Sequence, residues 1–492
     1  MGEREPEATA AGWVRRHGRE ALAAAALLIA ARAIATIVAQ KCGFHTLSDD
    51  DFARITIAQA FARAPRLDPS ATSWLPLPFW SEGAAMMLLG RSLVVAQAFA
   101  ATMSAASCVV LYAASRVAGV QPRAAIAGSL ICTLTPVALL VGAAPVPDFG
   151  VAVLCASALI LLRANDPRWR IASGVLVLMA TLCRYEPWPA AIAIAVMAWT
   201  FRAAEGCPKP SVHTRWVACA LALAGPCLWI AWNAHAHGDP LHFHARVSAY
   251  RTALGAGSSG LRALLSGYPS ALAADAPALL VVVLLGWSGW RLPKGARCSW
   301  SRPLVGALVV LAALVLADAA GSAPTHHPER ALLAVWFVGW IAASDHLDRA
   351  LSVRKRGRLA IMVAAGLAVL AFGVYRMSSI FTGYGVDRQD EVRVGAWLSA
   401  NTGADDRVLV DPVDYGYFAI MAASGAPERV VLSRGLDPRA AKMPSPFESA
   451  SALRARVEQD RVTWLVASER ASLREVAEVR VTLMKWEVGR RN

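Results

Sequence analysis

Long apolar stretches separated by short, Arg-containing polar turns run through the first three quarters of the chain, and after Tyr375 they give way to short alternations of apolar and charged residues. A membrane-crossing helix takes about 20 apolar residues, fewer where it dips or breaks. On that criterion spans are predicted near 20–40, 92–114, 124–144, 148–162, 171–183, 187–201, 216–233, 277–290, 303–319, 331–344 and 359–376. The fold class that follows is a polytopic α-helical membrane protein of about eleven to thirteen transmembrane helices. The first stretch is too long for a cleaved signal peptide and is expected to remain as an anchor. Trp74 to Leu89 is apolar as well, but Pro76, Pro78 and Glu82 within it suit a half-buried interfacial helix better than a crossing one.

The alternating pattern of the last part predicts an amphipathic helix over 387–401, strands at 407–411 and 429–433, a helix at 451–460 and a strand at 462–468. Strands alternating with helices define a small C-terminal α/β domain. The chain therefore divides into 1–376, a membrane domain that includes a first outer loop at 41–91, and 377–492, a soluble domain. No Gly-rich phosphate loop opens a helix of the second domain, which gives it the character of a lid or substrate-handling module.

Composition agrees with the membrane reading: 56% of the 492 residues are hydrophobic and 17% charged, with 17 Trp. A net charge of +14 would point to nucleic acid in a soluble chain, so its distribution decides. Short loops rich in Lys and Arg stay cytoplasmic. With Arg15, Arg16 and Arg19 inside, the same side receives Arg116 and Arg123, Arg163 to Arg170, Arg202 to Arg215, Arg291 to Arg302, and Arg349 to Arg358. The basic residues thus answer to the bilayer and no nucleic acid is expected; the N-terminus is cytoplasmic and the C-terminal domain extracytoplasmic, in a bacterial inner membrane. Nine Cys are scattered without a CxxC pair, and neither a disulfide framework nor a zinc site is indicated.

This orientation collects the chemically capable groups on the outer face. The first outer loop begins SDDDF, with Asp49, Asp50 and Asp51 consecutive beside hydrocarbon. Helix capping accounts for part of this: Ser48 is a good N-cap, acids in a first turn oppose the helix dipole, and Phe52, Ile55 and Ala58 give one apolar face. Capping does not require three adjacent carboxylates, whose repulsion calls for a cation, a basic partner or a protonated member. A divalent metal, Mg or Mn, held by Asp50 and Asp148 together with a phosphate would suit them. Trp74 and the proline-bounded apolar dip follow on the same face.

Asp148 lies at the outer end of a span in PVPDF, either as an ordinary cap of the next helix or as a second functional acid. In LCRYEPWP, Arg184 and Glu186 sit between two apolar runs, where ions pair internally or serve a substrate. In THHPER, His327, Glu329 and Arg330 open a span from outside, as an interfacial anchor or as a phosphate site at a helix start. The histidines of WNAHAHGDPLHFHAR have no carboxylate or thiolate set to complete a zinc site, and Gly238, Asp239 and Pro240 make a turn there.

Taken in order, the acidic pair, the W-x-P-x-P segment from Trp74 to Pro78, PVPDF, RYE, the N-x-x-x-x-GDPLxF pattern from Asn233 to Phe243 and the late HPER resemble the GT-C glycosyltransferase superfamily. The resemblance runs through residues 20–345 and is nearest to the branch of protein O-mannosyltransferases and lipid A aminoarabinose transferases. It implies an integral-membrane hexosyl- or pentosyltransferase. Such an enzyme takes sugar from a polyprenyl-phosphate donor and passes it, with inversion, to a protein, lipid or polysaccharide acceptor outside the cytoplasm. It further implies that Asp50 and Asp51 form the catalytic acidic pair, Asp51 as base toward the acceptor and Asp50 or Asp148 as helper, with Asp49 and Asp50 as the alternative register; Phe52 directly after Asp51 favours the first. Asp148 maps onto the second outer-loop acid, and Arg184 and Arg330 onto the residues that hold the lipid phosphate; where the family more often has lysine, this chain has Arg184. Glu186, His327 and Trp74 complete the expected substrate-binding set. A transporter or flippase is the alternative, but such proteins show internal repeats and mid-membrane charges. Neither is evident in this sequence.

Overall fold

The protein is described here by a computed structural model covering residues 10–164, 166–200, 210–253, 267–274, 300–321, 327–353, 371, 375, 385–437, 444–468, 476–483 and 486–491. Helix α1 (Ala10–Lys41) leads to the first loop, which contains α2 (Asp49–Arg63) and α3 (Leu77–Leu89). Then come α4 (Leu93–Val117), α5 (Pro122–Leu134), α6 (Pro136–Ala143), α7 (Asp148–Leu161), α8 (Arg168–Thr181), α9 (Trp188–Thr200), α10 (Val212–His237), α11 (His242–Ala253), α12 (Ser301–Ala319) and, after a single turn at Pro328–Ala331, α13 (Leu333–Val353). The boundaries have local causes. The Ser92 and Ser211 hydroxyls accept the Val95 and Thr214 amides to start α4 and α10, and Gly238 in the left-handed conformation ends α10.

Among the described residues four helices are long and apolar enough to cross a membrane, namely α1 from Gly18, α4, α10 and α12. The expected eleven to thirteen spans are thus not all matched by full-length helices. The predicted span 124–144 is a pair, α5 and α6, bent by 70°. Helices α7, α8 and α9 have 14, 14 and 13 residues. At 1.5 Å per residue these reach roughly 20 Å, short of a hydrocarbon core of about 30 Å. Helix α7 tolerates this because it is buried along nearly its whole length and meets protein rather than lipid. The predicted span 277–290 lies outside the described residues, as does 359–376 apart from residues 371 and 375. Leu77–Leu89 forms the short, half-buried helix that its prolines suggested.

The bend between α5 and α6 has a cause in α1. Pro136 cannot donate an amide to α5, which frees carbonyls at the break. Arg32, 1% exposed, fills that gap by donating to the carbonyls of Thr133 and Ala138 at 3.3 Å and of Leu139 at 2.7 Å. Its guanidinium also lies 5.3 Å from the centre of the Phe149 ring. Gly142 is required by the same contact, since a Cβ there would stand 2.8 Å from Arg32 Cζ. Arg32 therefore fixes the hairpin that delivers the start of α7.

The C-terminal domain contains α14 (Gln389–Asn401), β1 (Val408–Val410), α15 (Tyr417–Ser424), β2 (Val430–Leu432), α16 (Ala450–Asp460), β3 (Trp464–Ala467), β4 (Ala477–Leu483) and β5 (Trp486–Arg491). All three predicted strands and both predicted helices are present; α15 and the β4–β5 hairpin are additions. The sheet order is β2-β1-β3-β5-β4, with β1 parallel to both β2 and β3 and the last two pairings antiparallel. Alternation along the strands serves two cores. Val408, Val410, Trp464, Val466 and Val488 meet Val394, Leu398 and Ile420 on one side, while Leu409, Leu465 and Ala467 meet Phe447, Leu453 and Val457 on the other.

This domain is docked on the first loop. Phe52, Ile55 and Ala58 of α2 pack with Ala419 and Ala422 of α15. The Gln59 amide donates to the carbonyls of Ala422 at 2.8 Å and Arg91 at 3.1 Å. Glu428 receives Arg63 and, at 3.0 Å, Arg91. The apolar face read from α2 is therefore real, and it is spent on the C-terminal domain.

Candidate active site

Four segments that are far apart in sequence converge: the start of α7, the end of α8, the turn before α13 and the first turn of α2. Asp148 is the first residue of α7, placed by Pro147 where a carboxylate opposes the exposed amides of the helix. It is 3% exposed, and its Oδ1 receives Arg184 Nη1 at 3.0 Å and both Nε and Nη2 of Arg330 at 2.9 Å. Arg184 also grips Glu186, with Nη2 at 2.5 Å and Nε at 2.9 Å from Oε1. The Asp148 Oδ2 atom is buried without a hydrogen-bond partner. Beside it a narrow cleft of about 310 Å³, counting space open to solvent, is lined by Asp148, Arg184, Glu186 and Arg330. Asp148, Arg184, Glu186 and Arg330, singled out from sequence, thus form one buried ionic group.

The RYE motif has two faces. Arg184 and Glu186 face the ion cluster, whereas Tyr185 stacks on Phe243 of the GDPLxF pattern at 4.9 Å, accepts the Trp229 indole at 3.1 Å, and donates to the Ser73 carbonyl at 2.6 Å. Asn233 is buried and donates to the Trp229 carbonyl at 2.8 Å. The motifs of the first loop, α8 and α10 are therefore bound into one aromatic and polar seam. His327 lies 3.5 Å from Glu329, half-buried at the edge of the group.

The three aspartates of α2 have three different environments. Asp49 is held by Arg388 from the C-terminal domain, Nε at 2.8 Å and Nη2 at 2.9 Å. Asp51 is fully buried; the Leu47 amide donates to its Oδ2 at 2.7 Å, and the Ser48 hydroxyl reaches its Oδ1 at 3.5 Å. The cap of α2 therefore runs from Asp51 backwards, and Ser48 makes no side-chain cap of its own. Burial pushes the Asp51 carboxyl up to about 7, against the pull of the Leu47 amide and the Arg330 charge. Asp50 is exposed, and among the described residues it carries no hydrogen bond or ion pair.

Arg54 was not singled out from sequence. It is 6% exposed, lies 4.3 Å over the Trp74 ring, and makes no hydrogen bond among the described residues; its Nε is buried and unpartnered. It feels Arg184 and Arg330 as repelling charges and Asp148 and Asp50 as attracting ones. Its spacing of four from Asp50 is the signal that could have found it, because residues at that interval share a helix face. Trp74 holds the guanidinium by a cation–π contact and stacks on Phe79 at 6.2 Å.

No family model and no curated protein matches the sequence. Among solved structures, the chain is similar to ArnT from Cupriavidus metallidurans bound to undecaprenyl phosphate, with a TM-score of 0.58 and 12% identity over 98% of each chain. The apo state of that protein aligns with a TM-score of 0.56 and 12% identity over 94% of this chain and 97% of the other. The apo oligosaccharyltransferase of Archaeoglobus fulgidus aligns with a TM-score of 0.53 and 13% identity over 91% of this chain and 69% of the other. At such identities the likeness establishes the fold. The chain has the fold of these membrane-enzyme structures, in line with the resemblance its motifs carried.

Proposed function

We propose that the chain is an integral-membrane glycosyltransferase that moves a hexosyl or pentosyl group from a polyprenyl phosphate to an acceptor on the extracytoplasmic face. The observation that carries this reading is the convergence of Arg54, Arg184 and Arg330 beside a cleft and an uncommitted carboxylate, Asp50, within a largely apolar helical fold. Arg184 and Arg330 meet on Asp148, Arg184 also holds Glu186, and Arg54 feels the Asp148 charge, while Asp51 is driven towards its neutral form by burial. The three guanidinium groups and the buried, unpartnered Arg54 Nε suit a phosphate, whose oxygens accept such forks well. The fold is that of ArnT, which has been seen with undecaprenyl phosphate bound.

Displacing a lipid phosphate from an anomeric carbon requires stabilising the departing charge and taking a proton from the acceptor hydroxyl. Arg54, Arg184 and Arg330 are assigned the first task. Asp50 is assigned the second, because Asp51 spends its oxygens on the cap of α2 and Asp49 spends its own on Arg388. Asp148 keeps the arginines in register. Among the described residues Asp49 and Asp51 are both committed to other partners and no further free carboxylate is placed with Asp50, which supports a single displacement with inversion. A divalent ion between Asp50 and Asp148 is not assigned: two guanidinium groups already neutralise Asp148, and no group of three His, Cys, Asp or Glu placed to hold a metal occurs among the described residues. No step is routed through a metal.

The test is consumption of a panel of radiolabelled polyprenyl-phosphate sugars by the full chain in nanodiscs, with an envelope extract as acceptor. Transfer from one donor, with inverted configuration in the product, is expected. Donor translocation across vesicles without sugar release would replace this reading with a flippase.

A further inference from the structure

We propose that Arg388 is a positioning residue for the acidic turn: by holding Asp49 in a two-pronged grip it fixes the first turn of α2 and leaves Asp50 as the turn's one uncommitted carboxylate. This rests on the glycosyl-transfer reading above, in which Asp50 takes the acceptor proton.

Three contacts lay the segment entering the C-terminal domain along the approach to α2. The Gly385 amide donates to the Leu47 carbonyl at 3.3 Å, the Thr46 hydroxyl donates to the Val386 carbonyl at 2.8 Å, and Arg388 reaches Asp49 at 2.8 and 2.9 Å. Gly385 has a φ of +105°, a backbone state open to glycine, and a Cβ there would stand 3.7 Å from both the Phe44 ring and the Thr46 carbonyl. The remaining nitrogen of Arg388, Nη1, lies 3.0 Å from Asp414 Oδ2, so one guanidinium ties α2 to the loop after β1. Burial pulls the Arg388 guanidinium down, and the Asp49 and Asp414 carboxylates more than reverse it.

The grip is not needed to keep the domain docked. Glu428 with Arg63 and Arg91, and Gln59 with the Ala422 carbonyl, hold the far end of α2, and its apolar face is packed besides. What Arg388 adds is orientation at the near end, one residue from Asp50. A parallel fork on a carboxylate sets direction as well as distance, which lysine does not reproduce.

The experiment uses the full chain in nanodiscs with the donor that wild type consumes, and compares Arg388→Met, Arg388→Lys and, as a docking control, Glu428→Gln. Arg388→Met is expected to lose about 100-fold in kcat, the scale of a misplacement near 1 Å, with little change in donor KM. Arg388→Lys recovers part of that loss. Hydrogen exchange of the amides at 48–52 is expected to quicken in Arg388→Met and to stay at the wild-type rate in Glu428→Gln, whose kcat is retained. Wild-type kcat in Arg388→Met overturns the proposal, as does a lost kcat with unchanged exchange at 48–52 or an equal loss in Glu428→Gln. Wild type that consumes no donor removes the transferase reading, and this proposal with it. Wild-type turnover matched by Arg388→Met removes the proposal alone.

Discussion

Replacing Asp148 by Asn keeps the shape of the side chain and removes the charge on which two arginines converge. Oδ1 stands 3.0 Å from Arg184 and 2.9 Å from Arg330, and the three side chains are 2%, 13% and 6% exposed. Arg184 retains Glu186, so the orphaned charge is Arg330. Breaking a buried ion pair by removing one partner costs about 3 to 5 kcal/mol, most of it the penalty of a charge left without its counter-ion. The loss is expected in thermal unfolding followed by intrinsic Trp fluorescence. A phosphate that binds these arginines replaces the missing charge, so polyprenyl phosphate is expected to stabilise Asp148→Asn more than wild type. At saturating lipid the extra stabilisation is set by the ratio of the two Kd values, about 1.4 kcal/mol for each tenfold by which the variant binds more tightly. Equal stabilisation of both proteins by the lipid refutes the assignment of Arg330 to its phosphate, and an Asn variant as stable as wild type refutes the electrostatic account itself.

Arg54→Met removes a buried charge while keeping an apolar stem against Trp74. It is expected to leave unfolding stability unchanged or raised, since the charge has no hydrogen-bond partner to lose, and to raise donor KM by about tenfold or more. Asp51, with its carboxyl pushed up to about 7 from an ordinary 3.8, holds a proton in the folded chain that the unfolded chain has released between those pH values. Stability therefore falls as pH rises through that window, by at most about 4 kcal/mol, and is level above it. Asp51→Asn flattens that slope in unfolding measured from pH 4 to 8, and an unchanged slope contradicts the burial of a protonated acid. Gly142→Ala places a Cβ 2.8 Å from Arg32 Cζ, whose donors are anchored on three carbonyls, and is expected to cost about 1 to 3 kcal/mol in the same assay.

Apolar run length and proline position made much of the helical part legible, including the short, half-buried helix Leu77–Leu89. They did not reveal the bend at Pro136, which depends on Arg32, 101 residues from Thr133 in sequence. The short strands of the C-terminal domain were readable from their alternation. The β4–β5 hairpin carries the same signal, with Val479, Val481 and Leu483 alternating against polar residues, and was passed over. Asp148, Arg184, Glu186 and Arg330 were legible one at a time as ions beside hydrocarbon; their meeting was implied only by the family resemblance that the order of motifs suggests. Arg54 shows in the sequence only as one charge on an amphipathic helix, at a spacing of four from Asp50. Arg388 escaped because DRQDEVR reads as the start of a solvated helix. Which acid of the triplet has which surroundings is a matter of a partner arriving from 339 residues away and of one backward hydrogen bond.

The account turns on Asp50 as the carboxylate that takes the acceptor proton, and single-turnover donor consumption tests it most directly, with Asp50→Asn and wild type compared beside a measurement of polyprenyl-phosphate binding. The account predicts that Asp50→Asn binds the lipid phosphate as wild type does and loses transfer by about 100-fold or more. An Asp50→Asn protein that transfers sugar at the wild-type rate contradicts it.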